Sequence, residues 1–90
     1  MKIFIVIPVY NDWQSLIKLL EEINVFIETK KYSFSVIIIN DASKEKLIIQ
    51  KLIVDNFEKV KILNMKINKG HARCIATGLK YVFENEKFDY

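Results

Sequence analysis

Apolar residues fall along this chain in two alternating kinds of run. Residues 2–9 are almost continuously apolar, with Ile3, Phe4, Ile5, Val6 and Ile7 leading to Pro8 and Val9. β-Branched residues dominate the run, which predicts a strand buried on both faces, as in parallel sheets covered by helices. Asn11 and Asp12 follow, and either can cap a helix. From Trp13 the period changes. Trp13, Leu16, Ile17, Leu20, Ile23 and Ile27 recur at three- and four-residue spacing, while Lys18, Glu21, Glu22 and Glu28 fall largely on the other face. That spacing predicts an amphipathic helix over residues 13–29.

The two patterns then repeat. Residues 34–39 read as a second buried strand, ending at Asn40-Asp41. Leu47, Ile48, Leu52, Ile53 and Phe57 predict a second helix over residues 44–56. Residues 60–65 form a shorter, more alternating strand among Lys59, Lys61 and Lys66, charges that suit a sheet edge. A third helix is predicted over residues 70–84, with Cys74, Ile75, Leu79, Val82 and Phe83 facing inward and Gly78 packed close against the sheet. Residues 88–90 read as the start of a fourth strand. Strands and helices alternating in this way predict an α/β fold, a three-layer sandwich around a mainly parallel sheet with right-handed crossovers. The expected strand order is 3-2-1, with the fourth strand beginning on the far side of strand 1.

Composition narrows the picture. Ninety residues make one small domain, and 51% apolar with 28% charged residues suit a globular chain rather than a disordered one. The net charge of +3 comes from lysines interleaved with acids, and Arg73 is the only arginine. There is no concentrated basic face, so nucleic acid is not an expected partner. Lys66, Lys69, His71 and Arg73 make the best local basic patch. The single Cys74 cannot form an internal disulfide, which fits a reducing, cytoplasmic setting, and it is expected to pack as a small buried hydrophobe.

Polar residues capable of chemistry sit just after the strands. They read Pro8-Val9-Tyr10-Asn11-Asp12, Asn40-Asp41-Ala42-Ser43 and Asn68-Lys69-Gly70-His71-Ala72. In an open parallel sheet, loops at the carboxyl ends of strands line the ligand crevice, here beside strand 1. Neither the Gly-x-Gly-x-x-Gly dinucleotide fingerprint nor a Gly-x-x-x-x-Gly-Lys-Ser/Thr phosphate loop is present.

The three motifs, in this order, resemble the N-terminal half of the Rossmann-like GT-A fold of family 2 glycosyltransferases, which transfer sugars from nucleotide-diphospho-sugar donors. The resemblance extends over essentially all of residues 1–90. It implies that Pro8, Val9 and Tyr10 border the nucleotide, and that Asp12 accepts a hydrogen bond from it while also capping the first helix. Asn40 stands where the family usually has a base-reading Asp. Its amide oxygen still accepts a hydrogen bond, but a neutral acceptor is the weaker one. Asp41 either touches the nucleotide or caps the turn into the second helix. Ala42 replaces a usual Gly, at a cost of about 1 kcal/mol if the position needs positive φ. Gly70 would let backbone approach the ligand, and His71 follows at a helix start, where free N–H groups favour anions. The implied ligand is a UDP-sugar.

The family's Asp-x-Asp motif, which holds Mg²⁺ or Mn²⁺, and its general base would lie beyond these motifs. The expectation is therefore a donor-binding part that binds no metal cofactor, carries no catalytic residue and is inactive by itself, with Mg²⁺ or Mn²⁺ serving the full-length enzyme. The family's usual setting is polysaccharide synthesis, with membrane association possible within a longer protein. A second reading is a non-catalytic α/β module that binds or regulates a partner protein. A receiver domain fits less well, since no Asp follows the third strand. The free edge of strand 1 also predicts self-association through that edge and the exposed helix faces.

Overall fold

The computed structural model describes residues 1–47 and 52–90. Among them are β1 (Lys2–Val9), α1 (Trp13–Ile27), β2 (Ser33–Asn40), β3 (Lys59–Asn64) and α2 (His71–Asn85). The strands form one parallel sheet in the order β1-β2-β3, the 3-2-1 order expected. The register aligns Val9 with Asn40 and Asn40 with Asn64, so the three strand ends stand in one row.

Alternation along the strands sends side chains to two differently covered faces. On one face, Trp13, Leu16, Leu20 and Ile27 of α1 pack with Val9, Val36, Ile38 and Phe57. On the other, Cys74 and Val82 of α2 pack with Ile37 and Ile39, and with the half-buried Phe4, Val6 and Leu63. Val36 to Ile39 of β2 are fully buried, which is why that run carries no polar residue. β3 alternates instead, with Lys59 and Lys61 exposed at the sheet edge. Asp12 caps α1 by accepting a hydrogen bond from the Ser15 N–H at 3.2 Å.

The chain after α2 returns to the outer edge of β1. The Tyr90 N–H donates to the Lys2 carbonyl at 3.1 Å, and the Phe4 N–H donates to the Tyr90 carbonyl at 2.8 Å. Those bonds, two residues apart on β1, have the spacing of a parallel ladder. Residues 88–90 thus begin a pairing on the side predicted for a fourth strand, though they are not themselves a regular strand.

Two expectations are corrected. The second helix predicted over 44–56 does not form among the described residues; 48–51 lie outside them, and residues 41–47 and 52–58 are loop, bends and a turn. Side chains from elsewhere take up the backbone groups a helix would need. Asn11 Oδ1 accepts from the Lys44 and Glu45 N–H groups at 2.7 and 3.2 Å, and the Glu45 carbonyl accepts from Trp13 Nε1 at 2.8 Å. Further on, Asn24 Oδ1 accepts from the Asn56 N–H, and Asn56 Nδ2 donates to the Asn24 carbonyl, both at 2.8 Å. Asn24 is a buried polar residue on the apolar stripe of α1, and this clasp satisfies it.

The inward face of α2 is also displaced from the one predicted. Ile75, Leu79 and Phe83 are 39%, 57% and 79% exposed. The line of contact runs through Cys74, Gly78 and Val82, because Gly78 brings the helix backbone down onto β1 and β2. A Cβ at Gly78 would stand 2.5 Å from Val6 Cγ1 and 3.1 Å from Ile39 Cδ1. Each residue turns about 100° around a helix, so Leu79 and Phe83, one step past the contact line, face outward. No helix among the described residues is long and apolar enough to cross a membrane.

Candidate functional site

The loop after β1 is compact. The Asp12 N–H donates to the Tyr10 carbonyl at 2.8 Å and the Trp13 N–H to the Asn11 carbonyl at 2.9 Å, two consecutive three-residue turns. Asn11 takes φ 62°, a region that Asn tolerates better than other side-chain-bearing residues. Its N–H donates to Ser43 Oγ at 2.8 Å, and its side chain holds the Lys44 and Glu45 amides. Asn11 and Ser43 therefore lock the loop after β1 to the loop after β2. Both residues lie within the loop motifs of the sequence, and this lock is a role that the motifs alone do not reveal.

A cleft of about 390 Å³ lies beside the carboxyl end of β1. Pro8, Val9, Tyr10 and Asp12 line one side of it, with Leu19 of α1, and His71 reaches it from the first turn of α2. Five predicted site residues thus meet here. Tyr10 is 38% exposed, so its ring is free to meet a ligand.

Asn40 and Asp41, adjacent in sequence, point to opposite faces of the sheet. Asn40 lines a second cleft, of about 490 Å³, with Trp13, Ser43, Ile62 and Asn64. Its Oδ1 accepts from the Ser43 N–H at 3.0 Å, and its Nδ2 donates to Asn64 Oδ1 at 2.9 Å. The amide oxygen keeps a second lone pair for a ligand donor. Asn64, the partner that fixes this amide, stands in register with Asn40 at the end of β3, a pairing that the sequence alone does not reveal.

Asp41 is 1% exposed and faces α2. Oδ1 accepts from the Lys69 N–H at 2.6 Å and Oδ2 from the Gly70 N–H at 2.9 Å. The Lys69 N–H foremost, then the Cys74 thiol, the Gly70 N–H and the charge of His71, hold the Asp41 carboxyl below its ordinary 3.8, against the opposing effect of burial. The Cys74 thiol is pushed the other way, up to about 11, first by burial and then by Asp41. Asp41 thus bonds to the loop before α2, not to the segment after itself where a second helix was expected.

Gly70 is exposed at φ 85°, and a Cβ there would meet nothing within 4 Å. Its backbone angle, not crowding, therefore calls for glycine. Ala42 also takes positive φ, 58°, so the strain that was expected if this position needed positive φ is present.

Among the described residues, no three His, Cys, Asp or Glu side chains converge to hold a metal ion. Both Asp41 oxygens are committed to backbone N–H groups, and Asp12 caps α1. The donor set does not fit a Mg²⁺ or Mn²⁺ centre.

Comparison with known proteins agrees with this architecture. The chain is 30% identical over 84 residues to an uncharacterised glycosyltransferase of Synechocystis sp. strain PCC 6803, a match covering 90% of this chain and 26% of that protein. It is also 30% identical over 87 residues to a dolichyl-phosphate beta-glucosyltransferase of Trichomonas vaginalis, covering 87% of this chain and 26% of that protein. The chain therefore spans about a quarter of the length of these relatives. No solved structure matches it. The model of glycosyl transferase family 2 matches residues 4–85, and this chain belongs to that family.

Proposed function

We propose that this chain binds the nucleotide end of a nucleotide-diphospho-sugar, a UDP-hexose by preference, on the donor side of a glycosyl-transfer site. The observation that carries the reading is the cleft at the end of β1, which Pro8, Val9, Tyr10, Asp12 and His71 line together. Tyr10 supplies a ring surface, Asp12 an acceptor for ribose or base, and Gly70 an open approach to backbone. His71, with Lys69 and Arg73 nearby in sequence, supplies positive character for a diphosphate. Asn40 reads the base from the adjoining cleft through its remaining lone pair. The chain's part is binding: the described residues bring no metal-holding carboxylates to the cleft, so transfer requires groups these loops do not provide. In a full-length enzyme, Mg²⁺ or Mn²⁺ would neutralise the diphosphate.

Titration with UDP, followed by amide chemical shifts with and without Mg²⁺, tests this. Half a donor site should bind at about millimolar Kd, roughly −4 kcal/mol. Shifts should centre on Tyr10, Asp12, Asn40, Gly70 and His71 and be insensitive to the metal. Saturation without shifts at these residues, or no shifts at several times that concentration, would rule the reading out.

One observation favours a role for this chain's surface as well. Ile75, Leu79 and Phe83 of α2 and Leu19 and Phe26 of α1 are exposed. Because Leu19 and His71 line the same cleft against β1, these helix faces lie either side of the β1 edge. A second copy of the chain is proposed to cover them. Sedimentation should show mass rising with concentration, and Phe83→Ser should weaken that rise; a monomer at every concentration excludes it.

A further inference from the structure

Gly70 is the N-cap residue of α2, and α2 has no side-chain cap bond. A helix start leaves its first N–H groups without intrahelical partners, and a local Ser, Thr, Asp or Asn usually meets one of them. Here the acceptor comes from another element. Asp41, at the end of β2, takes the N–H groups of Lys69 and Gly70, the two residues leading into the helix. Its own carbonyl accepts from Asn68 Nδ2 at 3.4 Å. Lys69 and Gly70 are thus referenced to one buried side chain, and Asn68 to the main chain of the same residue.

We infer that Asp41 is a positioning residue of the cleft: it stands in for the missing cap of α2 and sets where Gly70 and His71 stand opposite Tyr10 and Asp12. Nucleotide affinity depends on it through those residues and without contact. The geometry excludes direct contact in this arrangement, since the side chain is buried and both oxygens are taken. The inference rests on the donor-site reading above. It differs in assigning Asp41 to the protein's own backbone rather than to the ligand.

Hydrogen exchange and UDP titration on the same samples test it, with Asp41→Ala and the near-isosteric Asp41→Asn, which keeps one acceptor and guards against a variant that does not fold. In Asp41→Ala, exchange should rise by roughly tenfold or more at Lys69 and Gly70, while the β2 amides keep their protection relative to one another. UDP affinity should fall in the order wild type, Asp41→Asn, Asp41→Ala, with the shifts at Tyr10 and Asp12 still mapping to the same residues. Local loss of protection with unchanged affinity overturns the positioning role, as does unchanged exchange at Lys69 and Gly70. Failure of the wild-type chain to bind UDP sinks the donor-site reading instead, and the exchange data then decide by themselves whether Asp41 sets the loop.

Discussion

α1 and α2 close the two faces of the same sheet by different means. α1 lays Trp13, Leu16, Leu20 and Ile27 across β1 and β2 and buries each of them. α2 touches down along a narrow line of Cys74, Gly78 and Val82, and its entry is fixed by a carboxylate from β2. The α1 face is held by apolar area, which is large and non-directional. The α2 face is held by close approach and hydrogen bonds, which specify position more than they add stability. The face set by position is also the one that brings His71 to the cleft.

Substitutions should break this contrast unevenly. Leu20→Ala empties a fully buried position under α1 and should cost about 2–5 kcal/mol, enough to leave a domain of this size near its unfolding midpoint. Chemical denaturation measures it. Gly78→Ala places a methyl 2.5 Å from Val6 Cγ1. Overpacking of roughly 1–3 kcal/mol outweighs the better helix propensity of Ala, worth up to about 1 kcal/mol, so a net loss of about 1–2 kcal/mol is expected. An unchanged or raised melting temperature would mean that α2 is not seated on the sheet as described.

Ala42→Gly should work in the opposite direction. It relieves a left-handed backbone and should gain roughly 0.5–1 kcal/mol, after the entropy that glycine loses on folding. The smallest effect at neutral pH is titration of the α2 face. Asp41 has a folded pKa below its ordinary 3.8, so its contribution is complete above that value and is lost as pH falls through the folded pKa. Cys74 is an acid whose folded value is raised from 9.0 to about 11. Its contribution is complete below 9.0 and is lost as pH rises toward 11. Stability against pH should be flat from these two groups through the neutral range, and Asp41→Asn should flatten the acid limb alone.

The sheet, its order and both helices were legible because strand and helix periodicities differ sharply and long apolar runs leave little choice of face. The loop after β2 was not. Leu47, Ile48, Leu52, Ile53 and Phe57 sit at plausible helical spacings in the sequence, but Asn11 and Trp13, more than thirty positions away, hold the Lys44, Glu45 and Ser43 region by side-chain bonds. A pattern read locally cannot include partners that distant. The facing of α2 was missed for a related reason: counting apolar residues centres the helix on its largest side chains, whereas the helix centres itself on Gly78, the smallest. At the site, Pro8, Val9, Tyr10, Asp12 and His71 come together in one cleft as a group. The separate fates of Asn40 and Asp41 follow from strand alternation, which was available in the sequence.

Pro8 occupies one of the outward-facing backbone positions of β1, the set that includes Lys2 and Phe4, already bonded to residues 89 and 90. A strand extending that pairing would find the Phe4 carbonyl and then both backbone groups of Val6. At Pro8 it would find no N–H. Any zipper along this edge therefore loses one of its two teeth at Pro8, and only the carbonyl is left to accept there. A single imino acid thus thins the ladder on the edge of β1 just where the strand reaches the mouth of the cleft.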